Sequence, residues 1–122
     1  MSELTRIVSR NHLRATPDGK VDLRVSGCGP AVVTLRSARA LGPRWLGGGR
    51  PRIVRLGSAR LLLTRGRVTP VTLRLSREHL ALLHRMQTIR TTIRVQTAAG
   101  ECKRRVYLHA PGRHANRTWR AT

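Results

Sequence analysis

A strict alternation of apolar and polar residues in the C-terminal half is the feature that most constrains this chain. In the stretch TIRTTIRVQT, Ile89 and Ile93 share one parity, whereas Arg90 and Arg94 fall between them. Because successive side chains of a β-strand point to opposite faces, this period of two predicts a half-buried strand over residues 89–97. We expect it to be a central strand of the fold, paired with the strand that follows it.

The same alternation recurs along most of the sequence and predicts a sheet-rich fold. Val71, Leu73 and Leu75 alternate with polar residues, and Pro70 predicts that their strand lies at an edge or has a bulge there. Gly66 stands where a hairpin turn needs a positive φ. The predicted strands cover residues 4–9, 21–26, 31–37, 52–56, 58–64, 68–75, 89–97 and 102–109, the fourth and fifth being either two strands or one bent strand. Seven or eight short strands with turns between them predict an all-β, antiparallel β-sandwich.

One segment departs from the alternation and predicts a short helix over residues 77–86. Ser76 is a favourable N-cap, and Glu78 and Arg85 suit the dipole at the two ends. The leucines repeat at three- and four-residue spacing, which forms one apolar stripe. We expect this helix to carry the chain from one sheet to the other.

A chain of 122 residues has the size of one domain. We expect an edge strand and a turn in residues 1–20, the sandwich in residues 21–109 and a basic tail in residues 110–122. No apolar run reaches the roughly 20 residues that a membrane span needs. The N-terminal sequence also lacks the apolar region of a signal peptide.

The segment 38–51 is predicted to be a long loop, because it contains two prolines and three consecutive glycines. Loops often carry binding residues, and Trp45 is a candidate contact residue beside Arg44. The alternative is that Trp45 folds back over the edge of the core.

The charge balance is strongly basic. Lysine and arginine total 25 residues against 5 aspartates and glutamates, and the net charge is +20. Such a surface attracts polyanions such as nucleic acid, anionic lipid or the acidic polymers of a cell wall or virion. The alternative is that the arginines reflect the composition of a GC-rich genome and serve solubility alone.

Arginines that alternate with apolar residues are expected to line an outer sheet face, where they suit contacts to phosphate. The candidate contacts to an anionic partner are Arg24, Arg74, Arg90, Arg94, Arg104, Arg105, Arg113, Arg117 and Arg120. The chain has no Phe, one Tyr and two Trp, so it offers few platforms for stacking bases. Any role with nucleic acid would therefore rest on the backbone or shape of the nucleic acid.

No sequence pattern indicates catalysis. The five histidines are scattered, and His79 and His84 are five residues apart, which does not place them on one helical face. The few carboxylates suggest no acid and base pair and no Ser-His-Asp arrangement. The glycines at 47–49 lack the Lys-Ser/Thr of a phosphate loop. We therefore predict a protein that is not an enzyme, with no metal site and no cofactor.

The order of these pieces also resembles a family. VDLRVSGC followed by VTLRS, then LGSARLLLTRGRVTPVTLRLS, REHLALLHR and TIRTTIRVQTAAGECKRRVYL are similar to the Arg-rich immunoglobulin-like repeats of actinobacterial surface and secreted proteins. The likeness covers about residues 20–109 and extends to immunoglobulin-like domains that decorate virions. It implies an immunoglobulin-like sandwich without catalytic activity, used as a spacer or for adhesion or display.

The two cysteines bear on whether the protein resides in an oxidising environment or in the cytosol. In an immunoglobulin-like topology, the turn that holds Cys28 and the turn before Cys102 lie at the same end of the sandwich. A disulfide between them would stabilise the fold by roughly 4 kcal/mol and would imply an oxidising environment. Two free thiols in a cytosolic protein are the alternative.

Two functions remain after the sequence is read. The first is a non-catalytic structural module on a cell surface or virion, whose partner is a capsid, a surface polymer or another acidic polymer, and which would form oligomers only within such an assembly. The second is a small basic protein bound to nucleic acid, such as a ribosome component, in the cytoplasm. Binding to generic DNA or RNA at low salt separates them.

Overall fold

The computed structural model describes residues 5–112, in which the chain forms eight strands and two helices. The elements in chain order are β1 (Arg6–Ile7), β2 (His12–Arg14), β3 (Lys20–Ser26), β4 (Gly29–Ser37), α1 (Pro43–Leu46), β5 (Arg55–Leu63), β6 (Val68–Arg74), α2 (Arg77–Met86), β7 (Thr88–Thr97) and β8 (Gly100–His109). The predicted all-β class is confirmed. No helix in the described part of the chain is both long and apolar enough to cross a membrane.

The strands form two sheets. The smaller has three strands in the order β1-β3-β6, and the larger has five in the order β2-β8-β7-β4-β5. All pairs are antiparallel except β2 with β8, which run parallel. The edge position predicted for the strand that carries Pro70 is confirmed, since β6 ends the smaller sheet.

Strand β7 has the central place that its alternation predicts. It lies between β8 and β4, so both of its backbone edges are paired. Ile89, Ile93 and Val95 are at most 1% exposed. Thr91 shares their face and is fully buried, and its hydroxyl donates to the carbonyl of Val106 at 2.9 Å. That hydrogen bond removes the cost of burying an unpaired polar group.

The inner faces of both sheets contribute to one hydrophobic core. Leu23 and Leu73 come from the smaller sheet, and Leu35 and Leu108 from the larger. Gly57 brings β5 close to β6: a Cβ added there would lie 3.4 Å from the carbonyl oxygen of Arg74. The absence of a side chain at this glycine thus lets the edge strands of the two sheets approach each other.

The helix bounds predicted from the sequence, residues 77–86, are confirmed. The Ser76 hydroxyl accepts a hydrogen bond from the backbone N–H of His79 at 3.1 Å, as an N-cap does. Leu82 and Leu83 are buried against the core. The helix joins β6 of the smaller sheet to β7 of the larger one, which is the crossing that the sequence predicts.

The structure differs from the sequence prediction at two places, and at a third it decides between two alternatives that the prediction left open. Strand β2 was not predicted, because three residues are too few to show an alternation. The segment 38–51 is not wholly a loop: it contains α1, and Leu41 forms a β-bridge with Arg52. Within residues 52–64, for which two strands or one bent strand were predicted, the structure has one strand, β5 (Arg55–Leu63), and its ladder with β4 has an irregularity between Leu35 and Arg36.

The N-terminal segment packs into the same core as the rest of the chain. β1 pairs with β3 of the smaller sheet, and β2 pairs with β8 of the larger one. Ile7 and Leu13 both belong to the core. The segment therefore links the two sheets at the side opposite to β5 and β6.

Cys28 and Cys102 are both free thiols in this structure, which is the alternative to the candidate disulfide. Cys28 is exposed in the turn before β4, whereas Cys102 lies half-buried in β8. The two turns do share one end of the larger sheet. However, two strand spacings and four residues separate Gly29 from Cys102, a distance of about 16 Å. A disulfide joins Cα atoms less than about 7 Å apart.

Candidate anion-binding face

The outer face of the five-stranded sheet carries a group of neighbouring basic side chains. Along β7 and β8 the buried residues alternate with Arg90, Arg94 and Arg105. The strand register continues this pattern onto β4 and β5, where Arg36 lies opposite Arg55. The basic face, as we call this surface, comprises Arg36, Arg55, Arg60, Arg90, Arg94, Lys103 and Arg105.

One carboxylate lies on the basic face within residues 5–112, and it is Glu101. Arg94 binds it through two nitrogens, Nε at 2.8 Å and a terminal nitrogen at 2.5 Å, and Lys103 lies 3.3 Å from it. The hydrogen bond from Arg94 is the main reason that the pKa of Glu101 is lowered. Arg94, a predicted contact residue, is thus partly neutralised within the fold.

A depression of ≈170 Å³ opens on the other end of this face. Arg39, Arg90 and Arg105 line it together with Tyr107. No carboxylate lines it, and within residues 5–112 none of the three guanidinium groups forms an ion pair. We call this depression the arginine pocket. Glu101 is four residues from Arg105 along β8, which is about 13 Å.

The backbone holds the arginine pocket in shape. The N–H of Ala38 donates to the carbonyl of Arg90 at 2.8 Å, which fixes the chain next to Arg39 against β7. Thr91 and Val106 are register partners and complete the lining. The pocket is therefore built on paired strands rather than on a free loop.

A row of aromatic rings borders the arginine pocket. The ring of His12 stacks at 5.1 Å on Tyr107 and at 5.1 Å on His109. The guanidinium carbon of Arg90 lies 5.9 Å from the centre of the Tyr107 ring. Tyr107 is 40% exposed, so this row is reachable from solvent.

Hydrogen bonds fix the histidines of this row. The Nδ1 atom of His12 lies 2.8 Å from Nε2 of His109, whose Nδ1 lies 3.0 Å from the Thr88 hydroxyl. Partial burial, with the nearby His12 and Arg14, lowers the pKa of His109. A neutral ring is what a hydrogen bond between two imidazoles requires, since one nitrogen must accept.

Two of the predicted contact residues lie on the opposite side of the molecule. Arg24 is on β3 and Arg74 is on β6, so both face outward from the three-stranded sheet. Arg24 lies near Asp22, whose carboxylate accepts a hydrogen bond from the hydroxyl of Thr72 at 2.7 Å. The predicted single arginine surface is thus divided between two sheet faces.

Arg104 does not face the solvent as predicted, because it has the parity of the buried residues of β8. Its guanidinium donates to the carbonyl of Ile7 at 3.2 Å and to the Asn11 side chain at 2.8 Å. Arg104 therefore tethers the N-terminal segment to the larger sheet. Arg113, Arg117 and Arg120 lie outside the described residues.

Trp45 lies in α1 and is half-buried against the core, which agrees with the alternative to a contact role. Its carbonyl accepts a hydrogen bond from Arg85 of α2 at 3.0 Å. The guanidinium carbon of Arg44 lies 5.3 Å from its ring centre. This tryptophan thus ties the loop after β4 to the crossing helix.

Four arginines of the face and pocket were not among the predicted contacts: Arg36, Arg39, Arg55 and Arg60. The alternation of Arg36 with Val33 and Leu35 was a usable signal in the sequence. For Arg55 and Arg60 the irregular ladder of β5 obscures the parity. Nothing in the sequence marks Arg39, because its position depends on where the chain leaves β4.

Comparisons with known proteins add little to this picture. No protein-family model matches the sequence, and no curated protein matches it. Among solved structures, the chain is similar to a β-glucosidase from Listeria innocua in complex with gluconolactone, at 15% identity and a TM-score of 0.44, covering 90% of this chain and 16% of that one. It is also similar to DesR, a β-glucosidase from Streptomyces venezuelae, at 13% identity and a TM-score of 0.36, covering 87% and 14%. The chain thus spans about a sixth of those proteins, and at these TM-scores the likeness carries no argument about its activity.

Proposed function

We propose that this chain is a non-catalytic interaction module of immunoglobulin-like β-sandwich architecture that uses its basic face to bind an acidic partner. The partner is an acidic polymer of a cell surface or virion assembly, which the module decorates or cements. The observation that carries the proposal is the basic face, where within residues 5–112 seven cationic side chains accompany a single carboxylate, Glu101. Folding alone does not require such an arrangement.

The sandwich architecture draws its support from three features. Two mainly antiparallel sheets contribute to one core, α2 crosses between them, and β5 and β6 close one side. The smaller sheet has only three strands, and β2 pairs in parallel with β8. A rigid sheet face of this kind presents side chains at fixed spacings, as docking to a repeating polymer requires.

Electrostatics favour a polyanion over an isolated anionic protein side chain. Like charges on one face repel each other, and a polymer with regularly spaced anions relieves several of these repulsions at once. Exposed charges are screened within about 8 Å at physiological ionic strength, so the binding should weaken steeply as salt is added.

A comparison of two double variants tests this proposal. Arg55→Gln with Arg60→Gln removes two charges from the basic face, and Arg24→Gln with Arg74→Gln removes two from the opposite sheet. Arginines at an anionic surface contribute about 1 kcal/mol each. Affinity for a polyphosphate or heparin column in the first variant should therefore fall by about 30-fold, and in the second by much less.

The outcome that would contradict the proposal is equal loss in the two variants, which would mean that net charge alone decides retention. Undetectable binding of the unmodified protein to either column at low salt would contradict it as well. Circular dichroism of each variant checks that the fold is retained.

A second candidate, a protein bound to nucleic acid, is favoured by the row of His12, Tyr107 and His109 beside the arginines. Aromatic side chains next to arginines suit single strands, whose bases stack on them. Fluorescence anisotropy with labelled DNA and RNA tests it: affinity above that for a polyphosphate of equal charge would favour this candidate. Undetectable binding at low salt would eliminate it.

A further inference from the structure

We infer that the arginine pocket binds one phosphate ester group of the acidic partner. This inference rests on the proposed function for the partner, and it names the chemical group and the place where that group docks. Its basis is the convergence of Arg39, Arg90 and Arg105 with Tyr107 around one depression of ≈170 Å³.

The charge pattern is the first argument. Three arginines line a small space, and no carboxylate does so. The nearest outward carboxylate along β8 is that of Glu101, which Arg94 and Lys103 already engage. The mutual repulsion of the three pocket arginines is thus uncompensated within residues 5–112. An anion placed between them would turn that repulsion into attraction.

The second argument concerns the shape of the anion. A guanidinium presents parallel N–H groups that match a pair of oxygens, and it does so equally well with carboxylate and phosphate. A carboxylate has only two oxygens to share, whereas a phosphate offers three or four in a tetrahedral arrangement. Three arginines around one depression therefore suit phosphate better.

The third argument is preorganisation. Arg90 and Arg105 stand on paired strands, and the hydrogen bond from Ala38 to Arg90 holds the start of the Arg39 segment. The stack of Tyr107 on His12 keeps the tyrosine ring at the border of the pocket. A site built on such elements loses less conformational entropy on binding than flexible surface arginines do.

The test is a titration of the full chain with inorganic phosphate and, separately, with glycerol 3-phosphate. NMR spectra recorded at constant ionic strength monitor each titration. We expect saturable shifts of the side-chain Nε signals of Arg39, Arg90 and Arg105 with both ligands, and binding of acetate at least about tenfold weaker. Constant ionic strength separates binding from general screening.

Two triple variants locate the effect. Arg39→Gln, Arg90→Gln and Arg105→Gln together should abolish the saturable shifts. The matched control carries Arg36→Gln, Arg55→Gln and Arg60→Gln; it removes the same charge from the same face and should keep phosphate affinity within about threefold. Because side chains are replaced only at the surface, the fold should persist, and the titration of the unmodified protein stands without the variants.

Three results would overturn the inference: phosphate shifts spread evenly over all arginines, equal losses in the two triple variants, or binding of inorganic phosphate with no binding of glycerol 3-phosphate. Retention on the polyphosphate column is measured in parallel. If that retention persists while saturable phosphate binding is absent, the inference fails and the proposed function stands. If retention itself is absent, the proposed function fails, and phosphate binding by the pocket alone would not rescue it.

Discussion

The role of an arginine in this protein depends on which neighbours its strand provides. Arg104 and Arg105 are adjacent in the sequence, yet their side chains leave β8 on opposite faces. Arg104 binds the N-terminal segment, whereas Arg105 lines the arginine pocket. A shift of one position along the strand therefore decides whether an arginine has a structural role or is available to a ligand.

Replacement of Arg104 by alanine should destabilise the fold by about 2 kcal/mol, because it removes hydrogen bonds from a charged donor to Ile7 and Asn11. Arg105→Ala is the matched control and should change the free energy of unfolding by less than about 0.5 kcal/mol. Urea unfolding measures both. Equal effects of the two substitutions would show that Arg104 does not act as a tether.

The lowered pKa of His109 predicts a pH dependence of stability. Its folded-state pKa lies below the unfolded value, so the unfolded chain binds protons first as the pH falls. Stability should therefore decrease when the pH is lowered from about 7.5 through about 6.5, the usual pKa of histidine. His109→Gln should make the melting temperature less dependent on pH in this range.

Exposed His84 provides the control for this pH series, since His84→Gln should leave the slope of the unmodified protein unchanged. Melting temperatures followed by circular dichroism between pH 5.5 and 7.5 give the comparison. The window lies above the range in which carboxylates such as Glu101 titrate. If the melting temperature changed equally with pH in the unmodified protein and in His109→Gln, the pH dependence would not come from His109.

At the scale of elements, the crossing helix is the part whose local signals agree best with the structure. Its N-cap and its bounds are those that the sequence predicts. Capping and helix periodicity are local effects, so they can be read without knowing which surface the helix covers. The alternation in β7 is equally informative, because the strand is buried on one face over its whole length.

The helix cap gives a prediction at this scale. Ser76→Ala removes the acceptor for the N–H of His79 and should lower the free energy of unfolding by about 1 kcal/mol. Ser58→Ala, at an exposed position of β5, is the control and should change it by less than about 0.5 kcal/mol. Chemical unfolding measures the difference, and a neutral Ser76→Ala would show that other groups satisfy the helix end.

Local patterns fail where two strands must be matched to each other. In β5 the irregular ladder beside Leu35 and Arg36 shifts the parity, so the side on which Arg55 and Arg60 emerge does not follow from alternation alone. Strand β2 is equally invisible, since its identity comes from pairing with β8. Both cases depend on a partner strand far away in the sequence.

For the whole molecule, the separation of the two cysteines follows from the ladder. The exposed Cys28 and the half-buried Cys102 should both remain reduced after mild oxidation of dilute protein. A thiol reagent should modify Cys28 faster than Cys102 under native conditions, because access controls the rate. Mass analysis under non-reducing conditions measures both. A bond between the two thiols within one chain would contradict the register of the larger sheet.

The sequence by itself determined which residues of the regularly alternating strands enter the core, which segment forms the crossing helix, and that the surface is basic. These properties follow from periodicity, capping and composition, all of which act over a few residues. The sequence also predicted two of the three pocket arginines, Arg90 and Arg105, but within one undivided group that did not include Arg39.

Only the tertiary structure decided how that group is divided. Strand order sends Arg24 and Arg74 to one sheet and Arg90 and Arg105 to the other, and it turns Arg104 inward. The arginine pocket needs Arg39 beside Arg90 and Arg105, which requires the end of β4 to lie next to β7. Contacts between residues distant in the chain arise from packing and pairing, whose outcome depends on all strands at once, so no local pattern reveals them.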